Sequence, residues 1–365
     1  MAQLSNRALN RALLARQMLL ERHKGSALDA IERLVGLQAQ VARPPFVGLW
    51  TRLRSFDRRE LATALHDRRA VRVTAMRGTL HVMTTADYVA MRGTMQPMLT
   101  RGMQAVLRGR AALLEMEALE VEARKFFGKS AATFDALRDH LSARFPDADV
   151  RAMAYAIRTH VPLVQVPTEA AWAFPAAADF ALADRWLSTK VSTSPTSPEA
   201  LVLRYLAAFG PATPSDAQAW SGFPALREVF DSLRPSLVTF RDERNRELFD
   251  LPHAARPDED AEVPVRFIPD FDNLVLSHDD RSRVMADAHR RRVTLKNLQV
   301  RATFLVDGMV AGTWKSERKR TAAVLVIEPF GAIPKRVKAA LENEGDALLA
   351  FLEADAKERQ VRWAS

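Results

Sequence analysis

Two glutamines, Gln38 and Gln40, stand two residues apart in the stretch VGLQAQVARPP, Val35 to Pro45. A glutamine side chain is neither acid, base nor nucleophile at neutral pH; it offers a carbonyl acceptor and two N–H donors. A reaction served by such a pair needs placed hydrogen bonds more than proton transfer. On a continuous helix the two side chains would point to nearly opposite sides, whereas in extended backbone they share a face. The residue before a proline avoids the α region, so the helix leading in must yield before Pro44. The pair is therefore expected to project together from a helix-to-loop junction into a cleft. On these residues alone, an ordinary polar helix end stays open as the plainer reading.

Other candidates for chemistry are fewer than the length would allow. Asp270 and Asp272 in IPDFDN, with His278, Asp279 and Asp280 nearby, would suit either a metal site or turns and caps. His81 in RGTLHV sits on an apolar-alternating strand, where a hydrogen-bonded structural histidine is the ordinary case. No Gly-rich phosphate loop, serine-nucleophile elbow or metal-binding histidine pair is present, so ordinary hydrolase machinery is missing. There is no cysteine among the 365 residues, which excludes disulfides, thiol catalysis, zinc fingers and thiolate-ligated clusters and suits a reducing cytoplasm. Lys plus Arg is 53 against 44 Asp plus Glu, a net charge of +9 that favours a polyanionic partner, nucleic acid ahead of an anionic membrane. No apolar run is long enough to span a bilayer. No cofactor and no metal are expected.

The elements that must position these residues follow an approximate repeat of helices closed by a two-stranded ribbon. The third copy is clearest. SPEALVLRYLAAFG reads as a helix with Ser197 as N-cap and Gly210 as terminator; PATPSDAQAWSG and FPALREVFDSLRP are further helices; SLVTFRDERNRELFDLP is a strand, a charged turn and a returning strand. That order is a winged helix. The second copy runs through TFDALRDHLSARFP and DADVRAMAYAIRTHVP to a ribbon in LVQVPTEAAWAF. The first starts at SALDAIERLVGLQAQ and ends in AVRVTAMRGTLHVMT, two strands around Arg77-Gly78. Expected boundaries are 1–110 for an N-terminal helix and first winged helix, 111–190 for the second, 191–261 for a Ser/Thr/Pro linker and the third, and 262–365 for a β-rich, barrel-like end with one covering helix. The class is α+β. Asp307-Gly308 between apolar strands signals a tight hairpin, either a groove probe or an internal turn. Basic clusters recur in RLRSFDRR (Arg52, Arg54), RRAVRVTAMR (Arg77), RSRVMADAHRRR and KSERKR (Lys315, Arg318, Lys319, Arg320); on winged helices they imply phosphate contacts.

The combination GLQAQVARPPFVGLWTRL, AMRGTLHVMTTADY, FIPDFDNLVLSHDDRSRV and FLVDGMVAGTWK resembles the AlkZ-like winged-helix DNA glycosylases, in the same order along nearly the whole chain. The resemblance implies three tandem winged helices around a concave channel, and release of bulky N7-alkylguanines or unhooking of interstrand crosslinks. The family's catalytic signature is Gln, an apolar residue, then Gln or Asp. It falls on Gln38-Ala39-Gln40, which places this chain in the Gln-Gln branch and assigns both glutamines jointly to water and sugar. Arg77 and His81 become DNA or supporting contacts. The implied partner is double-stranded DNA bearing an alkylated guanine, bound by a monomer. The competing readings are a winged-helix regulator without chemistry and a metal-dependent nuclease built on Asp270 and Asp272.

Overall fold

A computed structural model describes residues 2–364. After a two-residue strand β1 (Gln3–Leu4), helix α1 (Asn6–Arg16) starts where the Ser5 hydroxyl accepts from the Ala8 amide. Helix α2 (Ala27–Arg33) opens with a capping box, Ser26 and Asp29 each bonding the other's backbone N–H. Then come β2 (Leu37–Gln38), α3 (Pro44–Arg52), α4 (Arg58–His66) and the hairpin β3 (Ala70–Thr74) and β4 (Leu80–Thr84). Pro44 and Pro45 act as a start rather than a stop. They occupy the first turn of α3, where a missing N–H costs nothing.

Helix α5 (Thr85–Leu107) runs 23 residues and buries Tyr88, Met91, Met95, Met98 and Leu99 in the largest core. It leads to α6 (Met116–Phe127), α7 (Phe134–Arg144), α8 (Val150–His160), β5 (Leu163–Gln165), β6 (Phe180–Leu182) and the short α9 (Ala183–Leu187). The returning strand of this segment is displaced from the expected EAAWAF. Trp172 instead lies edge-on to Phe46 at 5.3 Å, and Phe174 is buried in the same cluster, so packing claims these aromatics before any ladder can.

Helices α10 (Glu199–Phe209), α11 (Pro214–Ser221) and α12 (Arg227–Leu233) are followed by the antiparallel pair β7 (Val238–Asp242) and β8 (Glu247–Asp250). Thr213 and Asp216 form the second capping box, and Gly210 closes α10 as expected. The last segment holds β9 (Arg266–Ile268), α13 (Arg290–Val293), β10 (Thr303–Val306), β11 (Met309–Lys319), β12 (Ala322–Pro329), α14 (Lys335–Leu352) and β13 (Glu358–Trp363).

Three sheets result, in an α+β fold. β1 pairs parallel to β7, next to β8. The order β2-β4-β3-β5-β6 is wholly antiparallel and mixes strands from before and after α5. The order β13-β12-β11-β10-β9 is open and linear, not a closed barrel, with α14 packed on it. Among the described residues no helix is long and apolar enough to cross a membrane.

The Ser/Thr/Pro linker after α9 lies along α5. Thr196 and Thr94 share a 2.6 Å hydrogen bond, and Val191 is buried. Gly93 makes this approach feasible, because a Cβ there would fall on the Ser194 carbonyl. Gly102, in the same helix, has open space where its Cβ would be. Gly93→Ala should therefore lower the unfolding free energy by about 1–3 kcal/mol through overpacking. Gly102→Ala should raise it by roughly 0.5–1 kcal/mol through helix propensity. Urea unfolding midpoints of the two variants check the opposite signs.

Candidate active site

The site is built on one edge of the antiparallel sheet. Val35 and Gly36 both take positive φ (55° and 91°) and turn the chain from α2 into β2. A Cβ on Gly36 would come to 3.2 Å from the Val82 carbonyl oxygen, so glycine lets β2 lie beside β4. Gln38 then pairs with His81 across the ladder. Gln38 is 8% exposed, while Gln40, two residues on, is exposed.

Both glutamine carbonyls are tied to the β3–β4 hairpin, Gln38 to its turn and Gln40 to the start of β4. Gln38 Oε1 accepts from Arg77 Nη2 at 2.6 Å, and Gln40 Oε1 accepts from the Leu80 amide at 3.4 Å. Arg77 sits in this turn with φ of 56°, and its guanidinium also donates to Asn273 Oδ1 at 3.4 Å and to the Trp220 carbonyl. Asn273 in turn donates to the Gly36 carbonyl at 3.3 Å. Arg72 grips the backbone between the glutamines: its Nε and Nη2 donate to the Ala39 carbonyl at 2.9 and 2.8 Å, and Nη2 to the Gln40 carbonyl at 3.3 Å. The two side chains thus share an anchor but not a neighbourhood. Gln38 turns to Arg77 under α11, whereas Gln40 opens on a pocket of about 310 Å³ lined also by Arg72, Arg158 and Gln165.

The local electrostatics are cationic. Burial, with Arg281 nearby, pulls Arg77 down to about 10, and burial with Arg158 nearby does the same to Arg72. Both stay charged at neutral pH. Burial, then the Arg77 charge, pushes His81 down to about 3. Its Nδ1 contacts the Thr79 carbonyl at 3.1 Å and so carries the proton, leaving a neutral ring.

Several expected DNA contacts are placed differently. Arg52 is 1% exposed and forms a two-pronged pair with Asp272 at 2.8 Å on each prong, so its charge is spent inside the protein. That pairing also commits Asp272, and among the described residues no three His, Asp or Glu side chains gather as metal ligands. His81 is fully buried beside Gln38 and exposes no surface. Arg77 holds Gln38 rather than facing solvent. Arg54 is partly exposed, paired with Glu21 and donating to the Arg22 carbonyl. Lys315 and Arg318 lie on β11, not in a turn; Lys315 pairs with Glu317, and Arg318 with Glu353 and Asp355. Lys319 and Arg320 are exposed at the β11–β12 turn with no ion pair among the described residues. The Asp307-Gly308 hairpin is an internal turn: Asp307 pairs with Arg7 and Arg11, and Gly308 packs on Asn10 and Leu14 of α1.

Sequence reasoning missed Asn273, Arg72, Arg158 and Gln165. Arg72 stood inside a quoted basic cluster, and Asn273 inside the IPDFDN motif. Neither carries a local mark of the partner it meets.

A family model for AlkZ-like DNA glycosylases matches residues 31–351. The chain belongs to the AlkZ-like DNA glycosylase family. It is 25% identical over 356 residues to the interstrand DNA cross-link repair glycosylase of Streptomyces sahachiroi, covering 90% of this chain and 91% of that protein. The solved structure of Streptomyces sahachiroi DNA glycosylase AlkZ shares its fold, with a TM-score of 0.80 at 22% identity over 99% of this chain and 100% of that one.

Two measurements test the site of this AlkZ-like chain as described. Arg52→Ala leaves Asp272 buried without its partner and should cost about 3–5 kcal/mol of stability. Arg320→Ala, at an exposed turn, should stay within about 0.5 kcal/mol. Chemical denaturation separates them. The second concerns pH. His81 stays unprotonated in the fold down to about 3, whereas in the unfolded chain it takes a proton near 6.5. The unfolded state therefore binds more protons as pH falls, and stability declines from about pH 6.5 toward 4.5, before carboxylates titrate. His278, also pushed down by burial, acts in the same direction. A His81→Asn variant should show a shallower loss over this window, by up to about 1.4 kcal/mol per pH unit. Equal slopes for variant and wild type would contradict the buried neutral imidazole.

Proposed function

We propose that this protein is a monofunctional DNA glycosylase that hydrolyses the N-glycosidic bond of bulky N7-alkylguanines in double-stranded DNA and unhooks crosslinks of the same chemistry. The observation that carries the reading is the pair of glutamine carbonyls held on one hairpin, Gln38 by Arg77 and Gln40 by the Leu80 amide, in a chain of this family. The name of the Streptomyces relative, an interstrand cross-link repair glycosylase, supports the extension to crosslinks.

The chemistry suits neutral amides. Alkylation at N7 puts a positive charge on guanine, so the base departs without being protonated. The C1′–N9 bond breaks with its electron pair going to the base, which leaves neutral. A water oxygen bonds to C1′, and its proton passes to solvent. What the protein must supply is a dipole facing the oxocarbenium-like sugar and a fixed place for the water. Gln38 gives its carbonyl to a cation at 2.6 Å, which drains that oxygen of acceptor strength. Gln40 holds only a 3.4 Å bond, is exposed, and faces the pocket. We assign Gln40 to water and sugar, and Gln38 to orienting the motif through Arg77. Three winged-helix units would present this edge to an open channel, which admits a lesion still joined to both strands better than an enclosed base-flipping pocket does. No lysine lines the Gln40 pocket, in keeping with hydrolysis that leaves an abasic site. The protein is expected to act as a monomer without cofactor.

The test uses a duplex carrying one N7-alkylguanine, with chelator present and mild alkali after incubation to cleave at abasic sites. Wild type should give scission at the lesion. Gln40→Ala should lower the single-turnover rate by about 100-fold or more, the scale of losing one transition-state dipole. Gln38→Ala should also slow it, and undamaged purines should be poor substrates. Scission absent for small and bulky adducts alike would leave a DNA-binding protein without chemistry. Dependence on a divalent cation would favour the nuclease reading.

A further inference from the structure

We infer that the pocket beside Gln40 is a phosphate site, taking one phosphodiester of the strand that carries the lesion. Its walls come from both sides of α5: Arg72 on β3, Gln165 on β5, Arg158 on α8, Phe134 at the start of α7, and Gln40 itself, around about 310 Å³. None of Arg72, Arg158 and Gln165 belongs to the catalytic pair.

Three observations point to an anion. Gln165 is only 8% exposed and its Oε1 has no hydrogen-bond partner among the described residues, so the amide is free to turn its NH2 inward, while the buried donor Arg158 Nε is also unpartnered there. Buried polar groups without partners are uncommon in native proteins and mark a place where something else binds. Arg72, which lines the pocket, donates Nε and Nη2 to the carbonyls of Ala39 and Gln40, and its Nη1 makes no hydrogen bond among the described residues. Second, the charges are unbalanced. Two guanidiniums line the pocket, and its one carboxylate, Asp135, is already bonded to Arg138. Each arginine has its cation destabilised by burial, and Arg72 by Arg158 as well, a strain that a bound anion relieves. Third, the eleven-residue helix α7 begins in the wall at Phe134, so its positive end faces the same space.

A phosphate fits the donors. The Arg158 fork offers two parallel N–H bonds, Arg72 offers Nη1, and Gln165 presents its NH2 after a half-turn of the amide. Beyond it lies a second groove of about 310 Å³ that shares Phe134 and Arg158 and adds Arg151 and Tyr155, besides the Arg138 already paired with Asp135. A cationic track therefore leads outward from Gln40, as a single strand of DNA backbone would require. Because Gln40 lines the pocket, the phosphate there is one flanking the reacting nucleotide on its own strand. This placement rests on the glycosylase reading; anion binding itself does not.

The experiment measures binding without catalysis. The probe is a 20-base-pair duplex with one tetrahydrofuran abasic analogue, followed by fluorescence anisotropy at several salt concentrations. Arg158→Gln should reduce the slope of log K against log salt by about one, the signature of one lost phosphate contact. Neutral methylphosphonates are then placed one at a time at the phosphates around the analogue, on each strand. In wild type, neutralising one flanking phosphate of the analogue strand should weaken binding about as much as Arg158→Gln does. Combining the two should add little, because they remove the same contact. An unchanged slope, effects that add at every position, or coupling to the opposite strand would overturn the assignment. Should Arg158→Gln fail to fold, Arg158→Lys and the wild-type scan decide: the lysine variant keeps the slope but loses affinity, and a uniform scan overturns the site. A protein that shows the coupling yet releases no base would keep the phosphate site and lose only the catalytic reading.

Discussion

The pairing of Arg52 with Asp272 is the contact on which the placement of the glutamines depends. The two residues are 220 apart in sequence and nearly out of water, joined by two hydrogen bonds of 2.8 Å. Arg52 also donates to the Gln17 and Gly48 carbonyls, so α1, α3 and the C-terminal segment meet at one guanidinium. Asp272 in turn accepts from the Leu274 amide and shapes the turn that carries Asn273. Asn273 reaches both the Gly36 carbonyl and Arg77, and Arg77 reaches Gln38. The route from a buried ion pair to the motif is four side chains long. A buried pair of this kind adds little net stability over an apolar replacement, but breaking one half of it is expensive. Here its value is registry: it fixes which loop lies under the hairpin turn.

Two populations within the positive surplus do different work. One population is internal. Arg16 binds Asp250 through two hydrogen bonds of 2.7 and 2.8 Å, Arg204 binds Asp87, and Arg246 bridges Asp242 and Asp280. Arg16 and Arg204 join segments far apart in the chain, and all three have little charge to offer a ligand. The other population lacks a carboxylate partner among the described residues. Arg72 and Arg158 belong to it, as do Lys319 and Arg320 at the β11–β12 turn. Net charge therefore says that a polyanion is welcome, not which cations meet it. Arginine suits both populations, since its planar fork pairs with a carboxylate inside and with a phosphate outside.

What could be read from the sequence was local. Gly210 and the Asp307-Gly308 hairpin are features of a few adjacent residues and form where expected, and the Thr213-to-Asp216 box, though not foreseen, is equally local. The α+β class follows from the same signals. Partners at long range were not legible. Nothing near Asp307 announces Arg7 and Arg11, some 300 residues earlier, and so a pinned turn reads equally as a free probe. Strand β13, Glu358–Trp363, is polar and mostly exposed, and only its parallel pairing with β12 makes it a strand. The motif shows the same division. Extended backbone at Gln38 was foreseeable from the prolines, though Gln40 already lies in a bend; that one carbonyl would go to Arg77 and the other to Leu80 depends on the hairpin closing beside them.

An amide at position 38 also makes physical sense beside its anchor. A carboxylate there, 2.6 Å from the Arg77 guanidinium, would form an ion pair and cancel the buried positive charge. Glutamine accepts the same hydrogen bond and leaves that charge standing. With Arg281 close by and Arg72 and Arg158 across the sheet, the edge that carries the motif keeps a positive potential. Such a potential draws a DNA backbone in, and it opposes a base that is already cationic. On the glycosylase reading the positive charge passes from base to sugar as the bond breaks, so a carbonyl dipole at the sugar must offset this potential there. An aspartate at position 40, farther from Arg77, would change the balance differently, adding negative charge at the sugar without disarming the anchor.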